Sequence, residues 1–269
     1  MSWLDKVFGV KKPVIAMVHL PPLPGSPLYH SNRGLERLIS KVNSDLEALQ
    51  DAGVDGIMFC NENDRPYEFH VKPETVSAMA YTIGRLKSDV STVYGVDILW
   101  DPVAAVALAH SVGASFVREV FTGLYESDMG LWHSRAAEAL RLRASLGDSE
   151  EVKLLFNVSA EFASPIGRRT VAEIARSVAF SSLPDALCVS GPMTGTSVSQ
   201  SELTEVKSLV QDTPIFVNTG VRAENVASYL QVADGVIVGT ALKEDGHTFN
   251  PVDRQRAKQF MENARAAQV

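Results

Sequence analysis

Cysteine is scarce. The 269 residues hold two, Cys60 and Cys188, which excludes a disulfide-rich scaffold. Both sit inside apolar runs, Ile57-Met58-Phe59-Cys60 and Ala186-Leu187-Cys188-Val189. They read as buried, reduced core thiols. No apolar run approaches the ~20 residues of a membrane helix. Residues 1–13 lack the apolar centre of a secretory signal. Basic charge is in deficit: 25 Lys and Arg stand against 32 Asp and Glu, a formal net charge of −7. That balance argues against nucleic acid and anionic lipid as partners. A cytoplasmic protein of a reducing compartment, without integral membrane association, is expected.

What is present is a regular alternation. Short β-branched runs occupy Val14–Leu20, Gly56–Asn61, Thr92–Leu99, Ser115–Phe121, Lys153–Ser159, Ala186–Gly191, Pro214–Gly220 and Gly235–Leu242. Most are continuously apolar, as parallel strands covered on both faces are. A helical pattern follows each, near 35–52, 73–89, 102–112, 131–146, 170–181, 200–211, 222–232 and 252–267. In the first of these, Leu35, Leu38, Ile39, Val42, Leu46 and Leu49 recur at steps of three and four, one apolar stripe. Eight strand–helix units predict an α/β fold, a single (β/α)8 TIM barrel over residues 1–269. Trp3, Leu4, Val7 and Phe8 make a short apolar stripe, and residues 1–13 read as a capping segment. A doubly wound sheet is the weaker alternative. The first strand runs into His19-Leu20-Pro21-Pro22-Leu23-Pro24-Gly25, whose prolines offer no N–H groups to a pyrophosphate.

In such barrels the chemistry sits at the C-terminal ends of the strands. Here those ends are polar: His19, then Asn61 and Glu62, then Asp97, Trp100 and Asp101. Arg118 and Glu119 follow, then Asn157 with Glu161 just beyond. The opposite ends are ordinary turns. Arg118 and Glu119 are adjacent, so one strand cannot turn both inward. The phase that carries Val117 and Phe121 inward would take Glu119 with them. Asp101 precedes Pro102 and reads equally as a helix N-cap. His19, Glu62, Asp101 and Glu119 are the candidate acid–base groups. Arg118 and Asn157 are candidates to orient a charged oxygen.

The last three strands end in Ser190-Gly191, Asn218-Thr219-Gly220 and Gly239-Thr240, with Gly195-Thr196 in the loop between the first two of them. Glycine N–H groups and threonine hydroxyls at these loops form the phosphate cradle of many barrels. Ser190, Gly191, Gly195, Thr196, Asn218, Thr219, Gly220, Gly239 and Thr240 are therefore candidate phosphate and substrate contacts. The run Ala233–Leu242 resembles the terminal strand of phosphate-binding barrels. Two absences narrow the chemistry. No lysine stands in the second half of a predicted strand except Lys243, just past the eighth, which disfavours a Schiff-base aldolase. No HxH or HExxH motif occurs, which disfavours a histidine zinc site. Mg²⁺ or Mn²⁺ on Glu62, Asp101 or Glu119 stays open, since hard cations take oxygen ligands.

Several stretches together resemble the BtpA/SgcQ family, most of all its SgcQ-type members. They are Val14–Leu20, Gly53–Phe59 with Asn61-Glu62, Leu99–Ala104, Phe116–Glu119 with Phe121–Gly123, Leu155–Asn157, Pro184–Gly191 and Asn218–Val221. The resemblance implies a ribulose-phosphate-binding barrel. It also implies a link to carbohydrate metabolism, because some members belong to sugar phosphotransferase gene clusters. Cyanobacterial members are tied to photosystem I biogenesis. Two expectations follow. One is an enzyme acting on a phosphorylated or nucleoside-like sugar, with isomerase, lyase and glycosidic hydrolase chemistry all open. The other is a non-catalytic assembly factor on the same scaffold. A homo-oligomer is the default for this architecture. Pro21–Gly34 and Thr122–Gly130 are candidate lids.

Overall fold

The computed structural model describes residues 2–30 and 34–268. Eight parallel strands close into a barrel: β1 (Val14–His19), β2 (Gly56–Cys60), β3 (Val93–Asp97), β4 (Phe116–Glu119), β7 (Lys153–Asn157), β9 (Ala186–Val189), β10 (Ile215–Val217) and β11 (Gly235–Val238). They neighbour one another in that order, and β11 closes on β1 through Val14↔Val236 and Ile15↔Ile237. A helix follows each: α2 (Gly34–Asp51), α3 (Pro73–Leu86), α4 (Pro102–Val112), α5 (Ala136–Ser145), α6 (Val171–Ser181), α7 (Gln200–Leu209), α8 (Val226–Val232) and α9 (Arg254–Arg265). The molecule is a TIM barrel. No described helix is long and apolar enough to cross a membrane.

Two apolar layers hold it together. The outer one lies between strands and helices and takes Val96, Val117, Phe121, Leu154 and Phe156 from the strands, with Leu38, Val42, Leu46 and Leu49 from α2. The inner one fills the barrel with Ile15, Met17, Met58, Phe116, Leu155, Phe216 and Ile237. Gly95 makes room for it: a Cβ there would stand 2.2 Å from the Phe116 ring. Below, the N-terminal helix α1 (Trp3–Phe8) is capped by Ser2 and Asp5 and buries Leu4 and Phe8. The Phe8 ring lies 5.5 Å from Phe116, and Trp3 Nε1 donates to the Asp185 carbonyl at 3.1 Å. This stripe is spent on the barrel floor.

A three-stranded antiparallel sheet stands at the mouth, ordered β6 (Gly130–His133), β5 (Leu124–Ser127), β8 (Ala163–Pro165). Its inner face carries Tyr125 and Trp132, each 2% exposed. Trp132 packs against Trp100 at 5.1 Å and Phe69 at 5.2 Å. The expected helix at 131–146 therefore starts only at Ala136, because residues 130–133 pair as a strand.

Candidate functional site

Inward and outward residues alternate along each strand. Phe116 and Val120 lie in the inner layer, Val117 and Phe121 in the outer one. Arg118 therefore faces the barrel axis, and the expectation that Glu119 does so is corrected. Apolar neighbours mislead here, because both faces of these strands are apolar. By the same alternation His19, Asp97 and Asn157 point inward, and of these His19 lines a cavity at the strand ends. Its volume is about 430 Å³, and His19, Glu62, Arg118, Glu161 and Thr194 line it.

Arg118 is 4% exposed. Its Nε donates to Asp97 Oδ2 at 3.0 Å, Nη2 reaches the same oxygen, and Nη1 lies 3.7 Å from Glu161 Oε1. Burial opposes its charge, but the Asp97 and Glu161 carboxylates outweigh burial and hold the proton firmly. Glu161 meets Glu62 through one hydroxyl. Thr194 Oγ1 donates to Glu161 Oε2 at 2.7 Å and stands 3.5 Å from Glu62 Oε1. Burial, then the Glu161 charge, pushes Glu62 up to about 7. Near neutral pH it is poised to give or take a proton.

His19 has a defined tautomer. Its Nδ1 lies 3.4 Å from the Thr248 carbonyl, which only accepts, so Nδ1 carries the hydrogen. Nε2 keeps its lone pair on the cavity side, beside Gly239, where an added Cβ would stand 3.3 Å away. Burial, with the Lys243 and Arg118 charges, pushes His19 down to about 3, so the ring is neutral.

The opposite wall has another character. Gly195, Asn218, Thr219, Gly220, Gly239 and Thr240 line it, with the guanidinium-bearing Arg222 and Arg256. A 3-10 turn begins at Thr240, and its first N–H groups have no acceptor within the turn. Gly220 has φ +65°, and a Cβ there would meet the Ser197 backbone at 2.3 Å. Three predicted contacts belong to the scaffold instead. Ser190 Oγ accepts from Asn218 Nδ2 at 2.9 Å, the Gly191 N–H donates to Thr219 Oγ1 at 2.6 Å, and the Thr196 carbonyl accepts from that hydroxyl at 2.9 Å. None of the three lines the cavity.

Other expected residues are placed elsewhere. Asp101 caps α4, accepting from the Val103 and Ala104 N–H groups at 3.1 Å, and from the Val71 N–H at 3.2 Å. It does not line the cavity, so the N-cap reading describes its contacts. Glu119 Oε2 accepts from the Val120 N–H at 2.9 Å. Burial and the adjoining Asp97 raise Glu119 well above the usual carboxylate range, and a hydrogen bond to Asp97 does the same. Asp97 Oδ1 and Glu119 Oε1 have no other partner. Asn157 is fully buried with neither amide atom paired. Glu62, Asp101 and Glu119 are thus not brought together as a ligand set, and no group of three or more His, Cys, Asp or Glu side chains is arranged for a metal ion among the described residues. Lys243 is 1% exposed, is held by Asp45 at 2.8 Å and does not line the cavity.

Glu161 and Thr194 sit on loops, where no periodicity marks them. Position just beyond a strand end was the one signal for Glu161; Thr194 had none. Among the described residues of the candidate lids, none lines the cavity. Ser31, Asn32 and Arg33, at the end of the first, lie outside the described residues. The hairpin instead supports Trp100 from behind.

The BtpA family pattern matches residues 10–266. The chain belongs to the BtpA family. It is 48% identical to SgcQ, an sgc region protein of Escherichia coli K12, over 97% of each chain. It is 34% identical to the photosystem I biogenesis protein BtpA of Synechocystis, over 96% of this chain and 90% of that one. Among solved structures, tryptophan synthase of Mycobacterium tuberculosis superposes with a TM-score of 0.60 at 17% identity, covering 98% of each chain. Phosphoribosyl anthranilate isomerase of Thermus thermophilus gives 0.56 at 10% identity, over 94% of this chain and 98% of that one. These likenesses relate the BtpA-family barrel in fold to sugar-phosphate enzymes.

Proposed function

We propose that this BtpA-family barrel is an enzyme that binds a phosphorylated sugar and moves protons on it. The observation that carries the reading is the division of the cavity into two unlike walls. The wall after β9, β10 and β11 offers glycine backbone, the Thr240 hydroxyl and two arginines, and takes the phosphate. The wall after β1, β2, β4 and β7 offers His19, Glu62, Arg118 and Glu161, and takes the reacting carbons.

Glu62, titrating near 7, is the base that removes a proton next to a carbonyl and, once protonated, the acid that returns it. Neutral His19, with Nε2 open, accepts a hydrogen bond from a substrate hydroxyl and orients it. Arg118 cannot be the acid, because Asp97 and Glu161 hold its proton; it supplies fixed positive charge where negative charge develops. Isomerisation or epimerisation uses these three roles together.

Solvent-deuterium exchange into a panel of pentose and hexose phosphates, read by NMR, tests this. At least one panel member is expected to take up deuterium, and His19→Ala and Glu62→Gln each to slow it by about 10²-fold or more. Arg222→Ala with Arg256→Ala weakens binding of the same compound in thermal shift. A panel with neither exchange nor a thermal shift overturns the proposal.

A further inference from the structure

We infer that Thr248 is a positioning residue that couples the phosphate wall to His19. It holds one group from each wall and does not itself line the cavity. The inference rests on the two-walled cavity of the proposed function and names the link between the walls.

Two contacts of one residue carry it. The Thr248 carbonyl accepts from His19 Nδ1 at 3.4 Å, and the Thr248 and Thr240 hydroxyls lie 2.8 Å apart. His19 and Thr240 both line the cavity, one on each wall. Thr240 also stands beside the glycine backbone of its own wall: a Cβ on Gly195 would lie 3.9 Å from the Thr240 hydroxyl. The turn that carries Thr248 is braced by the loop after β2. The Arg65 guanidinium lies 3.9 Å from the centre of the Phe249 ring. The turn is closed by the Asn250 N–H, which donates to the His247 carbonyl at 3.0 Å. The hydroxyl and the carbonyl of Thr248 therefore move as one body.

The number of protons available gives the coupling its direction. A threonine hydroxyl has one proton to donate. Between the two threonines alone, either hydroxyl can be the donor. Phosphate oxygens accept. Once Thr240 gives its proton to a phosphate oxygen, it can only accept from Thr248. The chain from Thr248 through Thr240 to the phosphate then runs one way and ends on a charge, which strengthens both bonds. Thr248 is pinned, and with it the carbonyl that keeps a hydrogen on His19 Nδ1. Nε2 is thereby fixed as the acceptor that faces the substrate hydroxyl. Phosphate bound at one wall orders the group that orients the rest of the substrate at the other, so remote binding energy serves orientation. A threonine that merely tied two turns together would leave His19 indifferent to phosphate.

Nitrogen-15 NMR of the histidine rings in the full chain, titrated with inorganic phosphate, tests it, with binding followed by calorimetry. Two variants are used. Thr248→Val keeps the carbonyl and the shape and removes the hydroxyl, and Thr248→Ser keeps a hydroxyl. In the parent and in Thr248→Ser, saturating phosphate is expected to slow solvent exchange of the His19 Nδ1 hydrogen by about tenfold. In Thr248→Val phosphate still binds and the slowing is lost. If phosphate binds the parent without slowing that exchange, or slows it equally in Thr248→Val, the coupling is overturned while the phosphate wall stands. Loss of phosphate binding in Thr248→Val also overturns it, because Thr248 would then belong to the phosphate wall itself. If the parent does not bind inorganic phosphate, the phosphate wall of the proposed function falls and this inference with it.

Discussion

Glu62 is the residue whose protonation sets the behaviour of the site. Its carboxyl is buried beside Glu161, and both meet the same Thr194 hydroxyl. The folded chain therefore binds a proton at Glu62 more tightly than the unfolded chain does. Stability that Glu62 contributes is full below about pH 4.5 and is lost as pH rises through about 7. Glu62→Gln removes that loss, and urea unfolding at pH 8 should find the variant more stable by up to ~3 kcal/mol. Equal stabilities at pH 8 would place Glu62 in water. Glu161→Gln deletes the charge that lifts Glu62, so its carbon-13 titration should fall below 7; an unmoved midpoint would remove Glu161 as a cause. Much of this site was legible. His19 and Glu62 line the cavity beyond apolar runs, as the sequence pattern suggested, and Arg118 lines it against the strand phase the sequence favoured. Glu119 was misread because Val117 and Phe121 were used to set the strand's phase, and neither face of a barrel strand is polar enough to break the tie.

The elements differ in how they are held. Barrel strands are locked by two neighbours, whereas the mouth sheet is held by one face, through Tyr125 and Trp132. Trp132→Ala should cost about 3–5 kcal/mol of packing, felt locally. Hydrogen exchange is expected to quicken across residues 124–133 and 163–165 and to leave β1 and β11 protected. Uniform loss of protection would show that sheet and barrel unfold as one. At the other end, Phe8→Ala opens a void under Phe116 and should lower the melting midpoint by a similar energy. All eight barrel strands were visible as β-branched runs of 6–8 residues. The mouth sheet was not. Its strands are 3–4 residues long, and alternation over Gly130-Leu131-Trp132-His133 is too short to separate from a helical pattern.

Across the whole molecule, closure is the organising feature. The first strand pairs with the last, and α2 packs beside α9. Asp45 on α2 holds Lys243 at 2.8 Å and accepts the Val252 N–H at 2.8 Å. Both side chains are almost fully buried. Asp45→Leu strands the Lys243 charge and should cost about 3–5 kcal/mol; adding Lys243→Met should restore most of it. Chemical denaturation of the two variants checks this, and a double variant as unstable as the single one would refute it.

The same pair has a bearing on how the protein is made. Asp45 leaves the ribosome early, and its lysine arrives 198 residues later. Gly239 and Thr240 lie only a few residues before that lysine. The wall after β9, β10 and β11 is thus the last part of the cavity to be synthesised, and the Asp45–Lys243 tie beside it must wait for 198 further residues. A nascent barrel carries His19, Glu62 and Arg118 long before the cavity they line can close.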